Sequence, residues 1–350
     1  MRRVYFFLSS IIFLPVLLNA YDWPIKEDTV QHVILAVMGE CRDLRDENGV
    51  IIDSIDHFHR GIDINAPCST KVYTIEGDTC YIDRVNGGYG SGINIGHFRY
   101  YHMVIRDTIQ DSTWVGSDSL FAKTDSADHV HLQEADRELT APGASANNAK
   151  WLNLLRDGAM TPFADSTRPH IDSIKFYRQA FDSLMPGMLD GKVDVLAVAG
   201  DTRTDSTGHS AGGNCSVYRI GYEIRDTLSN VIKPLWEKIK FDTIPSPPNA
   251  SQLLLTYGSG STMSHFRYWV SNDPFNPDFT LRNWYWNTKQ KTGQPDSVDA
   301  ESLEVAKFKD GHYWVKVIAA DIRNNADTDF QFPITKIPKF QMLIFIQLSV

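Results

Sequence analysis

The stretch Asp128-His129-Val130-His131-Leu132-Gln133-Glu134 alternates polar and apolar side chains, which is the period of a β-strand. Residues two apart in a strand point to the same face, so His129 and His131 face one side while the apolar residues between and after them face the core. Imidazole nitrogens are common metal ligands. The stretch therefore predicts a β-fold that carries a polar site on one face of a sheet.

Short apolar runs separated by turn residues flank this stretch on both sides, and they predict a mainly β protein built of two halves. In the first half, strands are expected at 33–37, 71–75, 80–85, 93–95, 100–105 and 129–133. In the second half they are expected at 171–177, 192–199, 216–224, 253–257 and 313–319, a pattern typical of a β-sandwich, and the run 320–325 resembles the closing strand of an immunoglobulin-like or fibronectin-like module. One or two helical turns are expected at 151–155, and the terminal run 342–348 is interpreted as a last strand.

A chain of 350 residues is longer than a usual single domain of roughly 100–200 residues, which favours two domains. A polar, proline-containing segment at 161–169 is the predicted linker, which divides the chain into 21–164 and a β-sandwich accessory domain at 165–350. We expect 21–164 to fold alone unless a large apolar contact joins the halves. The net charge of −9 is spread without long runs of one sign, which argues against a nucleic-acid partner.

The first twenty residues have the pattern of a signal peptide. Arg2 and Arg3 precede an apolar run at 4–18, and Ala20 offers a small residue for cleavage before Tyr21. A membrane anchor is the alternative, but the run is shorter than the roughly 20 residues of a spanning helix. We expect an exported protein, in the periplasm, in the cell envelope or secreted, without stable membrane insertion after cleavage.

Four cysteines, Cys41, Cys68, Cys80 and Cys215, can pair in three ways if the chain is exported. Their distribution along the chain is equally compatible with two arrangements: one disulfide plus two free thiols, or two disulfides. A zinc–cysteine site is not favoured, because the chain contains no Cys-x-x-Cys spacing.

Two further segments bring ligand-type residues. Phe58-His59-Arg60-Gly61-Ile62-Asp63-Ile64 contains a histidine and a carboxylate, both common zinc ligands, and Gly61 is expected to provide the bend that brings them together. Tyr100-Tyr101-His102-Met103 adds one more imidazole in a strand. Either segment alone is compatible with ordinary surface residues. The prediction of a metal site rests on the combination of both segments with the strand that carries His129 and His131.

The ordered set His59-x-x-x-Asp63, Tyr101-His102-Met103 and His129-Val130-His131 resembles the lysostaphin-type zinc endopeptidases of peptidoglycan, which have a duplicated hybrid motif fold. Ala66-Pro67, Glu134 and the glycine-bearing turn at 87–90 also match that family's pattern, and the resemblance covers about residues 30–160.

The resemblance implies an antiparallel β-groove in which His59, Asp63 and His131 bind Zn²⁺. His102 and His129 would face the substrate and the attacking water, and which of them is the general base stays open. The implied activity is zinc-dependent hydrolysis of peptide cross-links or stem peptides of bacterial peptidoglycan.

The sequence departs from that family in two places. The family's glycine-rich stretch before the paired histidines is absent, and Met103 stands where leucine is usual. The departures affect the expected substrate preference more than the ligands.

Two other functions remain alternatives. The first is a catalytically inactive cell-wall-binding regulator of other wall hydrolases, which is less favoured because all five polar positions are present. The second is a surface adhesin, which leaves the histidines unexplained. We interpret His97 as structural and the segment between His209 and Cys215 as a loop. The oligomeric state, the role of the second half and the peptide bond that is cut stay open.

Overall fold

The computed structural model describes residues 20–42, 57–83, 91–141, 149–178, 182–187, 189, 192–245, 250–275, 286–287, 311–327 and 331–336. The predicted signal peptide up to residue 19, the turn at 87–90 and the predicted terminal strand at 342–348 lie outside these ranges.

The described ranges consist mainly of β-strands, which confirms the prediction of a mainly β protein. The first half contains β1 (Ile34–Ala36), β2 (Ile62–Asn65), β3 (Lys71–Tyr73), β4 (Asp78–Asp83), β5 (Ser91–Ile95), β6 (Phe98–Ile105), β7 (Trp114–Val115), β8 (Leu120–Thr124), β9 (His129–Ala135) and β10 (Lys150–Leu152). The second half contains β11 (His170–Arg178), β12 (Asp182–Leu184), β13 (Lys192–Thr204), β14 (Ser210–Cys215), β15 (Arg219–Asp226), β16 (Val231–Lys240), β17 (Thr243–Pro245), helix α1 (Ala250–Thr256), β18 (Arg267–Trp269), β19 (Trp286–Asn287), β20 (Gly311–Ala320), β21 (Ala326–Asp327) and β22 (Gln331–Lys336).

The first half forms one antiparallel sheet with the order β1-β2-β9-β6-β5-β4-β7. Strand β8 pairs with β6 and β3, and β10 pairs with β9. This order makes β2, β9 and β6 direct neighbours, and these are the strands whose sequences carry the candidate ligands.

The second half forms two antiparallel sheets. One has the order β12-β11-β13-β14, with β18 and β19 also paired to β13, and the other has the order β16-β15-β20-β21, with β22 paired to β20. Phe176 and Val195 of the first of these sheets lie in the same hydrophobic cluster as Tyr222 and Val317 of the second. Buried side chains of both sheets therefore fill one common core.

The same core includes residues of the first half, among them Met38, Phe58 and Trp151. The ring of Phe58 lies 5.9 Å from that of Phe241 and 6.1 Å from that of Tyr257, measured between centroids. Strand β10 pairs with β17, and the Tyr257 hydroxyl donates a hydrogen bond of 2.6 Å to the carbonyl of Gly39. The two halves thus share an apolar core and a strand pair across the predicted boundary.

Several local predictions are wrong. The predicted strand at 253–257 is mostly helix α1, and residues 151 and 152 belong to β10, where one or two helical turns were expected at 151–155. A short apolar run fits a buried helix as well as a strand, and tertiary packing decides between them. The segment before Cys215 is strand β14 and not a loop, and none of the four cysteines forms a disulfide.

No helix in the described ranges is long and apolar enough to cross a membrane.

Candidate metal centre

Strand register brings the candidate ligands of three chain segments to one place. In the pairing of β2 with β9, Asp63 lies directly opposite His131, and in the pairing of β6 with β9, Tyr101 lies opposite the same histidine. His59 precedes β2, where it is held by a backbone hydrogen bond from its N–H to the carbonyl of Glu40. Neighbouring strands therefore supply the site.

Gly61 is required by close packing at this point. A Cβ atom at this position would lie 2.0 Å from the carbonyl oxygen of Leu132 on β9, so any other residue would push β2 away from β9. The chain also bends at Gly61, which confirms the predicted bend, and this contact between two backbones adds a packing reason for the glycine.

Three ligand-type atoms converge at the centre. The distances are 2.9 Å from His59 Nε2 to Asp63 Oδ1, 2.8 Å from His59 Nε2 to His131 Nδ1, and 2.7 Å from His131 Nδ1 to Asp63 Oδ1. Two ligands of one zinc ion, each about 2.0–2.2 Å from it, lie no more than about 4.4 Å apart, so all three atoms can reach one ion. His59 and Asp63 are buried, with His131 slightly more exposed.

Hydrogen bonds at the far side of each imidazole orient the two rings. His59 Nδ1 lies 2.8 Å from the carbonyl oxygen of Val37, which can only accept, so the proton is on Nδ1 and the Nε2 lone pair faces the centre. His131 Nε2 lies 2.8 Å from the side-chain amide of Gln133, whose Oε1 is buried and lacks a hydrogen-bond partner. Turning that amide by 180° brings Oε1 to the ring, where it accepts the Nε2 proton and leaves Nδ1 as a ligand.

The protonation states fit metal binding. Burial lowers the pKa of His59 below its usual value, and burial lowers the pKa of His131 to about 4, so both rings are neutral near neutral pH. Burial by itself raises the pKa of Asp63, but the neighbouring His59 and His131 hold it well below its usual range. Two neutral imidazoles and one carboxylate form a donor set of the type that zinc binds.

Arg42 is a residue of the site that sequence reasoning missed. Its Nη2 donates to Asp63 Oδ2 at 2.8 Å, which leaves Oδ1 facing the centre, and it lies 3.5 Å from Glu40 Oε2. Nη1 of the same guanidinium contacts Met263 Sδ of the second half at 3.4 Å. The segment that follows β1 carries no recognisable motif, so only the fold brings Arg42 to Asp63.

His102 and His129 lie beside the three ligand-type residues, with their ring centroids 4.4 Å apart. His129 Nδ1 donates to the carbonyl of Ala127 at 2.8 Å, and His129 Nε2 lies 3.8 Å from Asp63 Oδ1. Burial, followed by the nearby His129 and His131, lowers the pKa of His102 to about 4, so His102 is neutral near neutral pH.

A β-bulge in β6 explains why His102 faces the centre. Ser91 pairs with Met103 and Ile93 with Tyr100, so β6 has one residue more than β5 over this stretch. His102 has a φ of 67°, in the left-handed region that few residues other than glycine adopt. In a regular strand His102 would point away from the face used by Tyr101, and the bulge turns it back.

Other residues from the sequence analysis have structural partners. Glu134 is buried and forms a bidentate ion pair with Arg156, in which each carboxylate oxygen of Glu134 lies 2.6 Å from one guanidinium nitrogen. His97 lies at a turn, with its Nδ1 3.2 Å from Glu76 Oε1. His209 contacts the Thr207 hydroxyl at 3.0 Å. These contacts lie outside the cluster formed by His59, Asp63 and His131.

No protein-family model matches this chain, and no curated protein matches it.

Proposed function

We propose that this protein is an exported zinc-dependent endopeptidase that hydrolyses peptide cross-links or stem peptides of bacterial peptidoglycan. The observation that carries the proposal is the convergence of His59 Nε2, Asp63 Oδ1 and His131 Nδ1 within 2.9 Å, with two further imidazoles on the same side. Three acceptor atoms facing one another in a buried place repel unless a proton or a cation lies between them.

In this proposal His59, Asp63 and His131 hold Zn²⁺. Zn²⁺ held there would supply a Lewis acid able to polarise the scissile carbonyl and to lower the pKa of a water molecule. Arg42 keeps the second oxygen of Asp63 occupied, and the Val37 carbonyl fixes the ring of His59. Contacts of this kind hold ligands in place before the metal arrives.

His129 and His102 carry the proton transfers and the charge stabilisation. Because Nδ1 of His129 donates to a backbone carbonyl, its Nε2 lone pair is free to accept the proton of the attacking water and then to give it to the amine nitrogen that leaves when the peptide C–N bond breaks. His102 is neutral and therefore retains one N–H, which can donate to the oxyanion that forms on the substrate. Each contribution is expected to be about 10²- to 10⁴-fold in rate.

Peptidoglycan as the substrate is supported by the motif resemblance, which extends beyond the ligands to Ala66-Pro67 and the Tyr101-His102 element. The test is digestion of purified peptidoglycan by the mature chain, with identification of the new termini by mass spectrometry. New amino and carboxyl termini within the peptide part are expected.

Elemental analysis of the same preparation should find close to one zinc per chain, and Asp63→Ala should lose most of the metal and of the activity. His97→Ala is the matched control, because it removes an imidazole of the same sheet that pairs with Glu76. A folded wild-type chain that carries no zinc after purification without chelators would instead favour the inactive wall-binding regulator.

A further inference from the structure

A second group of carboxylates lies where the three sheets meet. Asp165 belongs to the connection between the halves, Asp201 lies on β13, and Asp321 follows β20. An oxygen atom of each lies within 4.8 Å of an oxygen of the others. Asp201 and Asp321 are each 3% exposed, so two of these three acids are as buried as core residues.

The described hydrogen bonds to these acids come from neutral donors. Asp201 Oδ1 accepts from the backbone N–H of Thr202 at 2.8 Å, and Asp321 Oδ2 accepts from the side-chain amide of Asn325 at 2.6 Å. Asp165 Oδ2 accepts from a threonine hydroxyl. Neutral donors lower the cost of burying a carboxylate, but they do not cancel the repulsion among three.

The three acids line one cavity whose water-accessible volume of about 30 Å³ is sufficient for at least one water-sized ligand. Ser216 lines the same cavity, is 2% exposed, and its hydroxyl oxygen has no hydrogen-bond partner in the described ranges. A buried hydroxyl without a partner costs free energy. A ligand in the cavity would satisfy that oxygen and the three carboxylates together.

We propose that this cavity binds a divalent cation of the Ca²⁺ class, coordinated by Asp165, Asp201, Asp321 and the Ser216 hydroxyl. Every one of these donors is an oxygen, which is the ligand type that Ca²⁺ and Mg²⁺ prefer. The thiol of Cys215 also lines the cavity, but burial raises its pKa well above the usual value, so it stays protonated and is a poor ligand.

The coordination that each ion requires favours Ca²⁺ over Mg²⁺. Mg²⁺ retains several water molecules and demands near-ideal octahedral geometry, whereas Ca²⁺ accepts roughly six to eight oxygen ligands in flexible arrangements. The three acids come from separate chain segments and are not arranged by one compact loop, a situation that the looser geometry of Ca²⁺ tolerates.

The location gives the cation a structural role. Val37 and Asn153 of the first half, together with Asp201 and Asp321 of the two second-half sheets, line one cavity. An ion bound there would fix the two halves against each other, independently of the proposed zinc site. The inference does not rest on the peptidase proposal.

The test uses the full mature chain, stripped of metal and then supplied with Ca²⁺ or Mg²⁺. Ca²⁺ at about 100 times its dissociation constant is expected to raise the melting temperature by about 5 °C, and Mg²⁺ by much less. Asp201→Asn, which keeps the shape of the side chain and removes its charge, should abolish the Ca²⁺ shift. Asp63→Asn, placed at the other cluster, should leave it intact.

A direct binding measurement keeps the test decisive if Asp201→Asn does not fold. Tyr218 lines the cavity, so Tb³⁺ bound in place of Ca²⁺ should emit on excitation of tyrosine, and Ca²⁺ should displace it. Ser216→Ala should weaken Ca²⁺ binding at least several-fold. The proposal is overturned if wild-type protein shows no Ca²⁺-dependent shift at millimolar Ca²⁺, or if Asp201→Asn or Ser216→Ala binds Ca²⁺ as wild type does.

Discussion

A truncated chain of residues 21–164 is expected to fail to fold by itself, because the cut removes the partners of a shared core. Three large side chains of this half, Met38, Phe58 and Trp151, are at most 1% exposed and lie in the cluster that continues into the second half. Burying one such side chain stabilises by about 1.5–3 kcal/mol, so exposing three costs about 5–9 kcal/mol. A whole domain is stable by only about 5–15 kcal/mol.

The truncation also leaves β10 without β17 and the Gly39 carbonyl without its hydrogen bond from Tyr257. These losses add to the free-energy cost of exposing the apolar side chains, and the exposed apolar face should cause aggregation. The shared core is the large apolar contact under which 21–164 was not expected to fold alone.

The assay compares the 21–164 chain with the 21–350 chain by solubility, thermal unfolding and zinc content. Tyr257→Phe in the longer chain is a graded control, because it keeps the ring in the shared core, removes the hydroxyl that donates to the Gly39 carbonyl, and should cost about 1–3 kcal/mol. A soluble, zinc-containing 21–164 chain with a cooperative melt near that of the longer chain would refute the reasoning. The halves would then be independent despite their contacts.

Three further changes test the candidate metal centre. His102→Ala and His129→Ala should each lower the rate of hydrolysis of a soluble wall peptide by about 10²-fold or more, while the zinc content stays near that of wild type. Loss of zinc in either variant would instead assign that histidine as a ligand. Arg42→Met should weaken zinc binding about 10- to 100-fold by freeing the outer oxygen of Asp63, which a competition titration with a chelator measures; unchanged affinity would show that Arg42 does not position the ligand. Gly61→Ala should destabilise the chain by at least about 2 kcal/mol in chemical unfolding, since its Cβ would overlap a neighbouring backbone carbonyl, and wild-type stability would contradict that contact.

The sequence predicted the mainly β fold and the identity of the clustered residues because both depend on local patterns. The alternation of polar and apolar residues in 128–134 determines which side chains share one face of the strand. The spacing of His59 and Asp63 allows their side chains to meet if the chain bends between them. The structure brings His59, Asp63 and His131 together, while their roles in metal binding stay a prediction.

Features that depend on distant packing could not be predicted in this way. Strand β16 contains Pro234 and several lysines, which weaken a strand pattern, yet these residues are tolerated because β16 lies at a sheet edge. The left-handed backbone of His102 follows from a change of partner along β6, from β9 to β8, that no local pattern encodes.

The short segment 37–42 links the candidate metal centre to the interface between the halves. The Val37 carbonyl orients His59, while the Val37 side chain lines the cavity of the proposed Ca²⁺ site. At the other end of the segment, Arg42 contacts both Asp63 and Met263 of the second half. Because each contact is short and the segment is largely buried, a shift of the second half would move the groups that position two of the three ligand-type residues. The second half therefore acts on this centre as a support for its geometry, even though none of the three ligand-type residues comes from it.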